Sequence, residues 1–193
     1  MQHGMIELPA GDFVIADLEY TSWEGALEWG WNRPGEFREI VQIGAVKVAR
    51  ADGLRETASF MVFVRPSLNP DLSDYFTRLT GITNADVARA GVPVGDALTD
   101  FAGFVGELPI LTHGRDDLVV AGECSEKALP NPLADHDWRD INPPLHAITG
   151  ASLTSSELPG YFGLSQTGPA HDALADARAL LQVLAHLDTM PAA

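Results

Sequence analysis

The sequence predicts an α/β domain, a five-stranded sheet flanked by helices. Short β-branched apolar runs near the N-terminus, a middle stretch that changes to helical spacing, and a strongly amphipathic segment near the C-terminus carry that expectation. The 193 residues are 46% hydrophobic and 20% charged, enough apolar material for one core. A single domain is therefore expected over 1–193, with its core at about 12–187.

Phe13-Val14-Ile15-Ala16 is the kind of apolar run that lies in a sheet covered on both faces, and it is expected as the central strand. Ile40–Val48 and Ala58–Val64 are β-rich and separated by the turn signal Ala51-Asp52-Gly53, so they read as a hairpin extending the sheet. Helices are expected over Asp71–Leu79, Ala85–Ala90 and Asp96–Val105, the second capped by Asn84. Pro109–Thr112 is a fourth strand, ended by His113-Gly114 and followed by a helix over Asp116–Glu126. Trp138–Ile141 is a short fifth strand, and Leu145–Gly163 reads as short helices and turns. After the breaker Gly168-Pro169, Ala173, Leu174, Ala177, Leu180, Leu181, Leu184 and Leu187 recur at helical spacing and define the last helix.

Composition narrows the function. With 27 acidic and 12 basic residues the net charge is −15, which excludes a general polyanion-coating surface. Cys124 is the only cysteine, so an intrachain disulfide and a cysteine-rich zinc site are excluded, and it is expected to be a buried packing residue. No apolar run approaches the roughly 20 residues of a membrane span. The start, Met1 to Glu7, lacks a basic region followed by an apolar one, so a cytoplasmic protein is expected.

Three acidic clues stand out. Asp17 and Glu19 follow the first strand two residues apart and share one face, where burial is costly unless a cation neutralises them. Oxygen ligands of this kind suit Mg²⁺ or Mn²⁺. Taken alone, an Asp-x-Glu reads more readily as a strand running out into an exposed acidic loop. At the start of the last helix, Asp176 lies about 90° from the centre of the apolar stripe and borders the buried face, whereas Asp172 lies about 130° away and is expected to be exposed. His171 precedes that helix on a turn. In Thr112-His113-Gly114-Arg115-Asp116-Asp117, two aspartates open a helix after a strand.

The order Asp17-x-Glu19, Asp117, His171-x4-Asp176 resembles the DEDDh group of 3′-to-5′ exonucleases. Glu39-Ile40-Val41-Gln42-Ile43-Gly44-Ala45 resembles that group's second strand, and Leu79-Thr80-Gly81-Ile82-Thr83 its Leu-Thr-Gly-Ile segment. The third motif is most similar to the branch containing histone-mRNA exonucleases and bacterial relatives, in which a Trp-Gly pair precedes the aspartate. Here His113 stands in the Trp position, so the choice between Asp116 and Asp117 stays open, with spacing favouring Asp117.

The resemblance implies an RNase H-like fold with a mixed five-stranded sheet. It also implies hydrolysis of phosphodiester bonds from a 3′ end, with Asp17, Glu19, Asp117 and Asp176 holding two Mg²⁺ or Mn²⁺ ions and His171 as general base. The main chain near Leu18 and Tyr20 would receive the terminal nucleotide and Leu79 would wedge against its base. Tyr20, Trp23, Trp29 and Trp31 offer further faces for stacking or for a partner, and Arg33, Arg38, Arg78 and Arg115 lie near the motifs in sequence. The acidic balance favours short or single-stranded 3′ ends as substrate. An oligoribonuclease-like enzyme, or an idle exonuclease-like domain that binds another protein, are the alternatives. A homodimer is an expectation too, since many such proteins dimerise.

Overall fold

The computed structural model describes residues 6–51, 53–165 and 168–190. Residues 1–5, and Asp52 of the expected hairpin turn, lie outside them. The chain runs β1 (Phe13–Tyr20), α1 (Ala26–Trp29), β2 (Ile40–Ala49), β3 (Arg55–Phe63), α2 (Asp74–Thr80), α3 (Asn84–Ala90), α4 (Val94–Val105), β4 (Ile110–Thr112), α5 (Asp116–Glu126), β5 (Trp138–Asp140), α6 (Asn142–Thr149), α7 (Leu158–Tyr161) and α8 (Ala173–Asp188). The sheet order is β3-β2-β1-β4-β5. β1, β2 and β3 are antiparallel neighbours, and β1, β4 and β5 run parallel, so the sheet is mixed as expected.

The sequence signals deliver this order with informative differences. β1 continues to Tyr20, four residues past the apolar run, because β2 pairs with it along its whole length. Thr83, not Asn84, caps α3 through a capping box with Asp86; Asn84 is its first helical residue and its side chain accepts from the Leu72 amide. α1 was not anticipated: Gly25 and Gly30, both at positive φ, bracket a single turn inside the tryptophan-rich segment.

Two apolar layers cover the sheet. Val14, Ala16 and Leu18 pack with Ile43, Leu98, Phe101 and Val120, under α4 and α5. Phe13 and Ile15 point the other way, into Val46, Leu145, Leu180 and Leu184, under α6 and α8. Cys124 is buried in the first layer. A smaller cluster of Val41, Leu72, Phe76, Ile82 and Val87 seats α2 and α3. Among the described residues no helix is long and apolar enough to cross a membrane.

One close approach places α8. Gly44 pairs with Asp17 across the β1–β2 ladder, so both face α8. A Cβ at Gly44 would fall onto the backbone of Ala173 and Leu174. Gly44→Ala is therefore expected to cost about 3 kcal/mol or more, the upper range for forcing atoms into a packed interior, read as a lowered urea midpoint. Gly95→Ala, inside α4 where the added methyl meets only Leu129 Cδ1 at 4.0 Å, should be neutral or stabilising by up to about 1 kcal/mol.

Candidate active site

Strand alternation sends Leu18 into the α4–α5 layer and turns Asp17 and Glu19 toward α8. Glu19 is 8% exposed, and Asp17 is half-buried and accepts a long hydrogen bond, 3.5 Å, from Ser155 Oγ. Opposite Glu19 in the ladder stands Gln42, which fastens the start of α8. Its Nε2 donates to Asp172 Oδ2 at 3.1 Å and its Oε1 accepts from the Ala173 amide at 2.9 Å. Asp172 is thus not merely an exposed acid favouring the helix dipole: its other oxygen accepts from the Ala175 amide and caps α8.

So anchored, the first turn of α8 presents Asp176, 5% exposed, to β1. His171 adopts φ +58°, a left-handed conformation uncommon outside glycine, and its amide donates to Asp176 Oδ2 at 3.1 Å. Glu19, His171 and Asp176 can bring one ligand atom each to within 4.8 Å of one another.

Of the two adjacent aspartates, the one favoured by spacing is not the one the fold turns toward Asp17 and Glu19. Asp117 turns outward and is held by Arg115, whose Nε and second guanidinium nitrogen reach its two oxygens at 2.8 and 2.6 Å. That pairing keeps its carboxyl below the usual range. Asp116, the preceding residue, lies close enough to Asp17 and Glu19 for its charge to raise both. The reason is helical phase: Val119, Val120, Glu123 and Cys124 are the buried residues of α5, and Asp116 stands three, four, seven and eight positions before them. That signal was present in the sequence, whereas counting from Gly114 ignored it. The turn before α5 is fixed by Asp140 Oδ1, which accepts from the Gly114 amide at 2.9 Å.

The cluster is electrostatically unfavourable by itself. Burial, then the charges of Asp116, Glu19 and Asp176, hold Asp17 well above the ordinary carboxylate range. Burial and the neighbouring Asp176 and Asp116 push Glu19 to about 8. Asp116 is pushed to about 7 by burial, Asp117 and Asp140, and Asp176 to about 7 by burial, against the His171 amide bond. Among the described residues no lysine or arginine forms an ion pair with any of the four. Burial lowers His171, partly offset by the charge of Glu157. A donor set of carboxylate oxygens plus one imidazole, crowded and without a cation, fits a hard divalent metal.

Of the expected substrate contacts, Leu18 is a core residue with only its main chain available. Tyr20 is half-buried and Leu79 stands 37% exposed in the last turn of α2, outside the apolar clusters. Trp31 donates from its indole to Thr21 O at 2.9 Å, Trp23 is half-buried, and Trp29 is 56% exposed. Gln42 and Ser155 went unassigned in the sequence because an amide and a hydroxyl carry no metal-binding signature.

Known proteins resemble this chain in sequence and fold. The 3′-5′ exonuclease Snipper of Drosophila melanogaster is 27% identical over 192 residues, covering 87% of this chain and 66% of its own. ERI1 exoribonuclease 2 of Danio rerio is 27% identical over 197 residues, covering 86% of this chain and 33% of its own. The chain thus spans about two-thirds of the first relative and one-third of the second. The nuclease domain of 3′hExo, a DEDDh family member solved with bound rAMP, superposes with a TM-score of 0.74 at 23% identity, covering 92% of this chain and 91% of that domain. A full-length 3′-exonuclease gives 0.76 at 23%, covering 92% and 60%. The fold is accordingly the RNase H-like one. The family model for Exonuclease (RNase T) matches residues 14–184, from the second residue of β1 to the last turns of α8, and the chain belongs to that exonuclease family.

Proposed function

We propose that this chain is a divalent-metal-dependent 3′-to-5′ exonuclease acting on single-stranded or short nucleic-acid ends. The observation that carries the reading is that Glu19 and Asp176 meet beside His171, with Asp17 and Asp116 close enough to raise the neighbouring carboxyls and, among the described residues, no lysine or arginine paired with any of the four. In the proposed assignment those four carboxylates hold two ions, Mg²⁺ or Mn²⁺, with Asp116 in the place first expected for Asp117. Bound there, the ions would neutralise charge on the scissile phosphate and make water more acidic.

The chain's own residues do the rest. His171 takes the proton from the attacking water, and its burial favours the neutral imidazole that this role requires near pH 7. Its backbone bond to Asp176 ties the base to the same helix turn that holds a ligand. The main chain at Leu18 and Tyr20 borders the space for the terminal nucleotide, and the exposed Leu79 side chain offers an apolar edge for its base. The net charge of −15 disfavours gripping a long duplex through its backbone and suits a substrate held by a few nucleotides at its end.

Digestion of 5′-labelled single-stranded RNA and DNA is expected to give a ladder shortening from the 3′ end with Mg²⁺ or Mn²⁺, and none with EDTA or with Asp17→Asn. Uncut strands of every length under both metals would defeat the reading. Asp116→Asn should lower kcat/KM by roughly 100-fold or more, because a ligand to the metals contributes several kcal/mol. Asp117→Asn should change it by about twofold or less, as for an exposed pair. His171→Ala should cut kcat by about 10² to 10⁴ while metal still raises the melting temperature.

The raised carboxyls also set a stability profile. Folding raises their proton affinity, so the metal-free protein should lose stability as pH rises from about 4.5 to 8, since the unfolded chain releases those protons earlier. His171, lowered by burial, opposes this only below its ordinary value of 6.5. Thermal melts should show that fall with EDTA, and Mn²⁺ or Mg²⁺ should raise the melting temperature more at pH 8 than at pH 5.5.

A further inference from the structure

We propose that Arg38 is a second anion-binding element of the site, holding the backbone phosphate next to the scissile one, so that the protein prefers a polynucleotide end to a lone nucleoside phosphodiester. This rests on the exonuclease reading above and adds a residue that sets substrate class. The sequence brought four arginines near the motifs, and the structure separates them. Arg115 is occupied by Asp117, and Arg33 lies between Glu36, at 3.8 Å, and the Trp29 ring. Arg78 stands exposed in the last turn of α2, with no aromatic ring stacked on it among the described residues.

Arg38 has a different setting. Its guanidinium carbon lies 4.1 Å from the centre of the Trp31 ring and 5.3 Å from that of Tyr20, and the two rings meet edge-on at 5.5 Å. Stacking of this kind holds the planar cation while leaving the N–H groups at its rim unused. Among the described residues no carboxylate lies within 4.0 Å of it, and none of its N–H groups is sealed from solvent without a partner. A half-buried guanidinium that lacks an anion in so acidic a protein is poised for one from outside.

The platform is rigid. Thr21 Oγ1 donates to Phe37 O at 2.6 Å and accepts from the Glu39 amide at 3.0 Å, while Thr21 O receives the Trp31 indole, so both ends of the 21–39 segment are tied to the end of β1. Glu39 is locked in turn by the amides of Ser67, Leu68 and Asn69 and by Lys127 Nζ at 2.7 Å. Lys127 also pairs with Glu123, so its one charge is shared between two of the four acids, Glu36, Glu39, Glu123 and Glu126, that line the cleft beside Arg38. That cleft, of about 270 Å³, lies between residues 30–39 and α5, the helix that begins with Asp116. Tyr20, one of the two stacking rings, directly follows Glu19. The charges of Asp116 and of Arg38 both act on the Tyr20 hydroxyl, so this ring links Arg38 to the α5 edge of the cluster, and Arg38 forms no ion pair with its acids among the described residues. Its rigid fork matches a phosphodiester, which can accept two parallel N–H bonds.

The test compares two substrates. One is a 5′-labelled DNA 10-mer; the other is thymidine 5′-monophosphate p-nitrophenyl ester, which has the scissile phosphate and no neighbouring one. For Arg38→Gln the ratio of kcat/KM on the 10-mer to that on the ester should fall about tenfold, mainly through KM, with Arg38→Lys between the two. The slope of log kcat/KM against log salt should become shallower by about 0.7. A methylphosphonate at the second linkage from the 3′ end, which removes that phosphate's charge, should slow the wild type and leave Arg38→Gln nearly indifferent. Equal losses on both substrates, or methylphosphonate and mutation effects that simply multiply, would show a structural role and overturn the proposal. So would weaker inhibition of Arg38→Gln by thymidine monophosphate, which would assign Arg38 to the terminal nucleotide. A wild type that cleaves neither substrate would overturn the exonuclease reading along with this one, whereas an active wild type with an unchanged ratio in Arg38→Gln would overturn this one alone.

Discussion

Mutual repulsion among carboxylates withdrawn from water organises one end of this molecule. Asp17, Glu19, Asp116 and Asp176 come from three separate elements, and nothing in their own chemistry would bring them together. The surrounding structure supplies the force. β1 is locked between β2 and β4 and cannot turn its two acids outward without also exposing Leu18. α5 is held by Val119 and Val120, and α8 by the deeply buried Leu180 and Leu184. Hydrophobic burial in two layers thus does work against the electrostatics, and the strain is left where a divalent cation can relieve it.

The positions of these acids are set by neighbours with no charge. Gly44 and Gln42 face α8 from adjacent like-facing sites on β2, one by having no side chain and the other by offering both a donor and an acceptor. Asp140 performs a comparable service for the turn that leads into α5. Such residues control where the carboxylates sit while contributing nothing that a search for metal ligands would recognise.

Most of the fold could be read from periodicity. The strand at residue 13, the hairpin after it and the last helix were all visible because buried runs and helical stripes depend on local spacing. The extension of β1 to Tyr20 was not, since pairing with β2 is what makes Asp17 to Tyr20 extended. Asp17, Glu19, His171 and Asp176, singled out in the sequence, are brought close together by the fold. A motif count cannot rank the adjacent Asp116 and Asp117, whereas the burial phase of α5 turns Asp116 toward the other acids and leaves Asp117 to Arg115. The aromatic segment was the least legible: composition showed several rings, but only the folded chain shows Trp31 turned inward onto Arg38 and Trp29 left outside.

The order in which these parts occur along the chain has a consequence for synthesis and turnover. α8 follows every strand, and it carries Asp176 together with the helical cover over Phe13, Ile15 and Val46. A polypeptide still emerging from the ribosome, or clipped before Asp172, contains the first three acids but neither the fourth nor its apolar lid. Such a species leaves the apolar sheet face of Phe13, Ile15 and Val46 uncovered, the kind of surface that promotes aggregation. Completion of the fold and assembly of the carboxylate cluster are therefore one event.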